Sequence, residues 1–426
     1  MQNRAEAPKI VRSLCCEFFE HGVRYFLRDA VLSRTEKAVE FRPSLTFQPG
    51  ANGGVSLDWM GVNYHVARPK GALSGNECRM LAAVGAVILE RYWIITSADS
   101  VAELHLFEGL PEDRWVAAFL AQERGNADVL VRAITVLRQS SLITYEGRRI
   151  STAVIVRDGV RDTVEGAVPY ETTLMSSKRF HRLCDGMRTA FLVNSEGMLI
   201  DVVDVEQFAR TAAGGRLPAP GAVRYWPHCL ATVGGSDICL VLTPNGEIKI
   251  FAGGVQTLHF LEGRWHITDL PEKYAEFHDA IGESGLAERL LVTALNLAEA
   301  RHGALFVVLD NASSAPGLIA AEDLLGNPER NGSTCTHYLL RDRTIAGMKP
   351  AILENIAGLD GGVVLDRAGR LLAFGAILRT TGEPMEAQEG GRTTAALYAS
   401  RFGLALKVSE DGLISFYQRG ARVWEI

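Results

Sequence analysis

The side chains best suited to chemistry in this sequence fall in its last third. Asp360 stands where a helical lead-in meets an apolar run in "LENIAGLDGGVVLDRAGRLLAFGAIL", Arg392 opens "GGRTTAALYAS", and Ser409 and Glu410 begin the turn of "KVSEDGLISFY". A carboxylate at a strand start either caps a turn or meets a ligand. An arginine in the first turn of a helix is poorly placed unless an anion is near, because that end of the helix dipole is positive. The backbone N–H groups there favour an anion for the same reason. Thr393 and Thr394 fit as helix N-cap residues, and Ser409 and Glu410 also fit as plain turn formers. What these residues could do together is recognise an anion, and an arginine fork suits phosphate.

Other standard sites are absent from the sequence: no G-x-x-x-x-G-K-[ST] loop, no H-E-x-x-H, no G-x-S-x-G and no zinc-spaced Cys/His cluster occurs. His259, His266, His302 and His337 have no ligand-like spacing, so structural or surface roles are expected for them.

The elements that must position the candidate residues are legible from periodicity. A helix is expected from Leu286 to Arg301, with Leu290, Leu291, Ala294, Leu295 and Ala298 on one stripe. "GALFVVLD", "GGVVLD", "LLAFGAIL" and "LALKVS" are near-continuous apolar runs, as in strands covered on both faces. Four tetrapeptides, "NSEG", "TPNG", "DRAG" and "SEDG", each separate two apolar runs and end in glycine, which predicts four bulged hairpins. "ICLVLTPNGEIKIFAGG" parallels "LALKVSEDGLISFYQRG", a likeness attributed here to convergent hairpin chemistry rather than to a repeat. Upstream, residues 38–69 read as short strands, while "PEDRWVAAFLAQE" and "NADVLVRAITVLRQS" have helical spacing. The Gly/Pro-rich stretch 212–222 marks a boundary. The expected organisation is an N-terminal α/β or α+β domain over 1–215, a joining β meander over 223–275, and an α/β domain over 276–426 with a mixed sheet flanked by helices.

Length and composition agree with a multidomain globular chain: 426 residues, 47% apolar and 22% charged. A net charge of −6 gives no global signal for nucleic acid, which leaves room for a small or local anion. Seven cysteines without a C-x-x-C pair suggest reduced thiols in the cytoplasm. No signal or transit peptide is expected at the N-terminus. The most apolar stretch, "MLAAVGAVILERYWIIT", is interrupted by Glu90 and Arg91, so no membrane partner is expected.

Taken in order, "ERLLVTALNLAEARHGALFVVLD", "LDGGVVLDRAGRLLAFGAIL", "GGRTTAALYAS" and "KVSEDGLISFY" resemble the diadenylate cyclase domain family, the DisA N-terminal-like fold. The likeness covers about residues 286 to 420. The family's D-G-A, G-T-R-H-R-A-A and V-S-E-E-T-G-x-I motifs match these segments in order and spacing. In that family two domains face each other, and the 3′-hydroxyl of each bound ATP attacks the α-phosphate of the other to give cyclic di-AMP.

The resemblance implies that Asp360 helps hold a divalent metal, Mg or Mn, carried with the nucleotide. It implies that Gly361 and Gly362 let the backbone approach a ribose or phosphate, and that Arg392, Thr393, Thr394, Ser409 and Glu410 line a nucleotide site. It also implies a homodimer or homo-oligomer. Where the family has R-H-R, this chain reads Arg392-Thr393-Thr394, so a histidine and an arginine are lost. Losing one preorganised donor typically costs about 2.7–4 kcal/mol of transition-state stabilisation. The expected role is therefore a sensor of an adenine-type nucleotide, ATP or a cyclic dinucleotide. The alternatives are an active cyclase that draws positive charge from elsewhere, for example Arg341, Arg343, Lys349 or Arg379, and a non-catalytic assembly scaffold. Asp360 is expected beside Arg392 at the mouth of a pocket.

Overall fold

The computed structural model describes residues 3–36, 45–49, 54–59, 61–69, 71–97, 110–122, 125–157, 167–177, 179–211, 215–325, 339–340, 342–380 and 390–426. Cys335, His337 and Arg341 lie outside them. Backbone contacts divide the chain into two units, Met1–Arg216 with Pro227–Asp269, and Leu217–Trp226 with Leu270–Ile426. The stretch 223–275, expected to join two domains, is divided between them, and its strands belong to the sheet of the first unit.

The C-terminal unit is an α/β layer structure around a six-stranded mixed sheet. Its strands lie side by side in the order Leu371–Ala376, Gly362–Asp366, Ala304–Leu309, Gly403–Val408, Ile414–Gln418 and Ala421–Glu425. Only Ala304–Leu309 and Gly362–Asp366 run parallel; the other neighbours are antiparallel. Leu305, Val307 and Leu309 pack with Ala396, Leu397 and Ala399 of the helix Gly391–Ala399. Side chains alternate along a strand, so Phe306, Leu406 and Phe416 face the other way. There Phe416 meets Phe277 of the helix Leu270–Ile281, with ring centroids 5.2 Å apart. Both faces are covered, which is why these strands are apolar without interruption. The helix Ser284–Glu299 precedes the central strand, as its stripe predicts.

Among the described residues the N-terminal unit holds two larger sheets and the two-stranded hairpin Thr144–Tyr145/Arg148–Arg149. The first is a four-stranded antiparallel sheet of Val31–Glu36, Val62–Ala67, Val55–Trp59 and Leu45–Pro49. The helix Asn3–Phe26 packs on it through Phe19, stacked on Trp59 at 5.5 Å. Residues 38–44, expected to begin this run of strands, lie outside the described residues. The helices Pro111–Ala121 and Ala127–Ser141 form where the spacing predicts them. The apolar stretch around Glu90 and Arg91 is part of the helix Gly75–Ser97. Among the described residues no helix is long and apolar enough to cross a membrane. Cys15, Cys16, Cys184, Cys229 and Cys239 are buried. Burial pushes the Cys229 thiol up to about 12.

The second sheet has eight strands. Six of them, Met198–Asp204, Thr189–Val193, Thr152–Val156, Ile238–Leu242, Ile248–Ala252 and Val255–Leu261, repeat the order and directions of the C-terminal sheet. The single parallel pair is again at the centre, Thr152–Val156 beside Thr189–Val193. A helix precedes the same three strands in each copy. The predicted hairpin turns are therefore two pairs at corresponding positions, "NSEG" with "DRAG" and "TPNG" with "SEDG". Each closes through its glycine N–H: Gly197 to Asn194, Gly369 to Asp366, Gly246 to Thr243 and Gly412 to Ser409, at 2.9–3.0 Å. The sequence likeness of the two meanders is thus a likeness of position in a repeated architecture, not of turn chemistry alone.

Candidate functional site

Register decides which candidate residues meet. In the parallel pair Phe306 lies opposite Val363, so Gly303 and Asp360 each come three residues earlier, before the two strands begin at the same end. In the antiparallel pair Ala304 lies opposite Val408, so Gly303 lies opposite Ser409. Asp360, Gly303 and Ser409 therefore form a row just outside three neighbouring strands, at one end of the sheet.

Arg392 reaches this row from the helix Gly391–Ala399. A Cβ built on Gly303 would collide with the Arg392 guanidinium, so the glycine provides the space in which the arginine lies. Nη1 of Arg392 donates to Oε1 of Glu410 at 3.1 Å, in the turn that follows Ser409. The Arg392 side chain is 35% exposed and that of Glu410 73%, so solvent reaches the pair. An exposed pair of this kind is worth about 0.2–1 kcal/mol, and an anion can exchange with the carboxylate at little cost.

Thr393 and Thr394 are not N-caps. The N-cap is Gly390, and no side-chain bond caps the helix. The helix starts at Gly391, one residue before Arg392, which moves both threonines into its first turn. Thr394 Oγ1 turns back to the Gly390 carbonyl at 3.4 Å. Thr393 Oγ1 accepts from Nζ of Lys407 at 3.0 Å. Lys407 lies opposite Leu305, on the face that carries the helix, so its ammonium group stands beside Thr393 in the first turn of that helix. Sequence reasoning overlooked Lys407 because it sits inside an apolar strand; its one signal was a cation interrupting "LALKVS".

The other cations considered are spread more widely. The Arg343 carbonyl accepts from the N–H of Leu371, at the far end of the hairpin, and Lys349 opens the helix Pro350–Ala357, which runs back toward Asp360. Both lie at the opposite end of the sheet. Arg379 follows the strand Leu371–Ala376, whose end pairs with Gly362, and so lies at the Asp360 end.

Asp360 is exposed, and Oδ1 accepts one bond, from the N–H of Gly361 at 3.1 Å. Gly361 has φ +106°, and a Cβ there would fall on the Gly375 backbone, so only glycine fits. Gly362 begins the strand, and a Cβ there would meet the Leu305 carbonyl at an ordinary 3.5 Å. Ser409 closes its turn through its backbone, its N–H bonding the Leu413 carbonyl at 2.8 Å. Among the described residues no group of three His, Cys, Asp or Glu side chains is arranged to hold a metal ion. A metal arriving with phosphates needs only one or two protein carboxylates, a demand that Asp360 alone can meet.

No protein-family model matches the chain. No curated protein matches it. Among solved structures it is similar to a hypothetical membrane spanning protein from Bacillus cereus, at 25% identity over 32% of this chain, with a TM-score of 0.24. The chain spans 61% of that protein. It is also similar to DacA from Staphylococcus aureus, at 19% identity over 33% of this chain and 86% of that one, with a TM-score of 0.23. At these scores neither likeness carries an argument about this chain.

Proposed function

We propose that the C-terminal unit binds a phosphorylated adenine-type nucleotide, ATP or a cyclic dinucleotide, at the end of the sheet marked by Asp360, Arg392, Lys407 and Glu410. Its role is nucleotide sensing, with little or no turnover. The observation that supports this most directly is the Arg392 fork, seated over Gly303 in the row that includes Asp360 and held, among the described residues, by an exposed carboxylate. A charge-assisted bond to phosphate is worth about 1.5–3 kcal/mol, more than the exposed pair it replaces. Gly361 and Gly362, beside Asp360, are where a ribose or phosphate would approach the backbone. Asp360 takes the Mg or Mn ion that accompanies a triphosphate, which neutralises phosphate charge. Thr393, Thr394 and Ser409 contribute hydroxyl bonds without charge.

A second reading, an active diadenylate cyclase, is favoured by one observation: Lys407 stands beside Thr393 and could supply charge that the motif lacks. Cyclisation requires two sites to face each other, so this reading needs a homodimer, and specific activity must rise with protein concentration.

Incubation with ATP and Mn²⁺, followed in the same samples by thermal shift and product chromatography, separates these readings. A nucleotide-dependent rise in Tm without product is the expected result. At a hundredfold excess over Kd it corresponds to about 2.7 kcal/mol. Cyclic dinucleotide in the product would establish the enzyme, and no response to any nucleotide would leave an assembly scaffold.

A further inference from the structure

The sheet of the N-terminal unit has an end that corresponds to the Asp360 row, and its chemistry is different. Three segments gather there: the hairpin Thr144–Tyr145/Arg148–Arg149, which leads into the central strand; the single turn of 3-10 helix Phe180–Leu183; and residues 184–188, which lead into the strand Thr189–Val193. Arg182 joins the first two, its Nη1 3.3 Å from Oε2 of Glu146 and its guanidinium 5.3 Å from the Tyr145 ring centroid. Nη1 of Arg149 donates to the Asn245 carbonyl at 3.1 Å, in the turn beyond the neighbouring strand. Cys184 anchors the third segment to the start of the central strand, accepting from the N–H of Ala153 at 3.2 Å.

These segments, counted from residue 179, carry five arginines (Arg148, Arg149, Arg179, Arg182 and Arg188), all exposed, and two carboxylates. Both carboxylates are occupied, Glu146 by Arg182 and Asp185 by three backbone N–H groups. Among the described residues the guanidinium groups of Arg148 and Arg179 make no ion pair or hydrogen bond, so the net positive charge is unspent. Large apolar side chains stand among the arginines: Leu142 is 87% exposed, Leu183 56% and Phe180 37%.

We propose that this end of the N-terminal sheet docks on an anionic phospholipid surface. Phosphate headgroups match the arginines, and the apolar side chains enter the boundary beneath them, the pairing that interfacial segments use. A free phosphate compound would account for the arginines and leave Leu142 and Leu183 facing water. Single-stranded nucleic acid needs aromatic platforms for its bases, and Phe180 is the only ring in these segments among the large apolar side chains standing out in solvent. Docking of this kind lies on the surface and requires no spanning helix.

The test is sedimentation of the full chain with vesicles, either of phosphatidylcholine alone or of phosphatidylcholine and phosphatidylglycerol in equal amounts. Binding is expected to the anionic vesicles only, and to weaken as salt is raised. With each basic residue worth about fivefold, the triple variant Arg148→Ala/Arg179→Ala/Arg188→Ala should bind about a hundredfold more weakly. The variant Leu142→Ser/Leu183→Ser, which keeps every charge, should also lose binding at least several-fold. All five positions are exposed, and an unchanged Tm confirms that each variant is folded. No binding to anionic vesicles at low salt overturns the proposal. So does binding that the serine variant leaves intact, or tighter binding to a single-stranded oligonucleotide than to the vesicles.

Discussion

The two sheets of this chain share strand order, strand directions and turn closure, and differ in what their corresponding ends leave available. Each has an Asp-Gly step before the strand parallel to the central one, Asp185-Gly186 and Asp360-Gly361, with the glycine at φ +76° and +106°. In the C-terminal sheet the strand starts immediately, at Gly362, and the Asp360 carboxylate keeps one bond, to its own neighbour. In the N-terminal sheet Met187 and Arg188 intervene, and the short loop folds back on the aspartate. Oδ1 of Asp185 accepts from the N–H groups of Met187, Arg188 and Thr189 at 2.9, 2.7 and 3.1 Å. Above it, His228 from the following helix is buried, with Nε2 3.0 Å from the Gly186 carbonyl. The corresponding helix of the C-terminal unit carries the partly exposed Arg392 near its start. Two inserted residues thus turn an available carboxylate into a structural one.

The comparison makes its strongest demand on the glycines. A Cβ on Gly186 would lie 2.8 Å from the Thr152 carbonyl, and one on Gly361 would fall on the Gly375 backbone. Gly186→Ala and Gly361→Ala should each destabilise by about 2–4 kcal/mol, from left-handed strain and overpacking together. Urea unfolding measures both, and tolerance of one alone would break the parallel.

Next in size is the loss of Arg392. Arg392→Ala should weaken nucleotide binding by about 10–150-fold, the worth of a charge-assisted bond at about 1.5–3 kcal/mol. Titration of the nucleotide-dependent Tm reports it, and unchanged affinity would remove the site.

The two aspartates should then part ways. Asp185→Ala deprives three backbone N–H groups of their acceptor and should cost about 1–2 kcal/mol, as the loss of a cap does. Asp360→Ala should change stability by less than about 0.5 kcal/mol, as exposed positions do, while removing the dependence of nucleotide binding on Mg or Mn. Acid sharpens the contrast. Burial pushes the Asp185 carboxyl up, but its bonds to the backbone of Arg188, Met187 and Thr189 outweigh burial and hold it below the ordinary carboxylate value. A lowered folded-state pKa stabilises above the unfolded value of about 3.9 and loses that contribution as pH falls through the folded value. The Tm difference between the native chain and Asp185→Asn should therefore shrink as pH is lowered through this range. A constant difference would show that the carboxylate charge plays no part.

The smallest expected effect is a gain. Glu410→Gln frees Arg392 from an exposed pair worth about 0.2–1 kcal/mol, so nucleotide affinity should rise by up to about fivefold. A fall in affinity would instead make Glu410 a ligand.

Much of this architecture is local and was legible in order along the chain. The turns ending at Gly197, Gly246, Gly369 and Gly412 are set by one residue that adopts a positive φ without strain. The helices Ala127–Ser141 and Ser284–Glu299 follow from their apolar spacing. Asp360 and Arg392 stood out because their types suit neither an apolar strand nor the first turn of a helix. Their convergence depends on pairings between segments far apart in sequence. Gly303 and Asp360 come to the same end of the sheet only because Phe306 pairs with Val363, and Lys407 reaches Thr393 only through its register with Leu305. Periodicity reports which face a residue takes within its own element and carries no information about which strand lies beside it. For that reason the sequence determined the elements, the turns and the candidate chemistry. The tertiary structure alone decided that the turns are two matching pairs, that Asp185 is locked while Asp360 is not, and that a lysine stands beside Thr393.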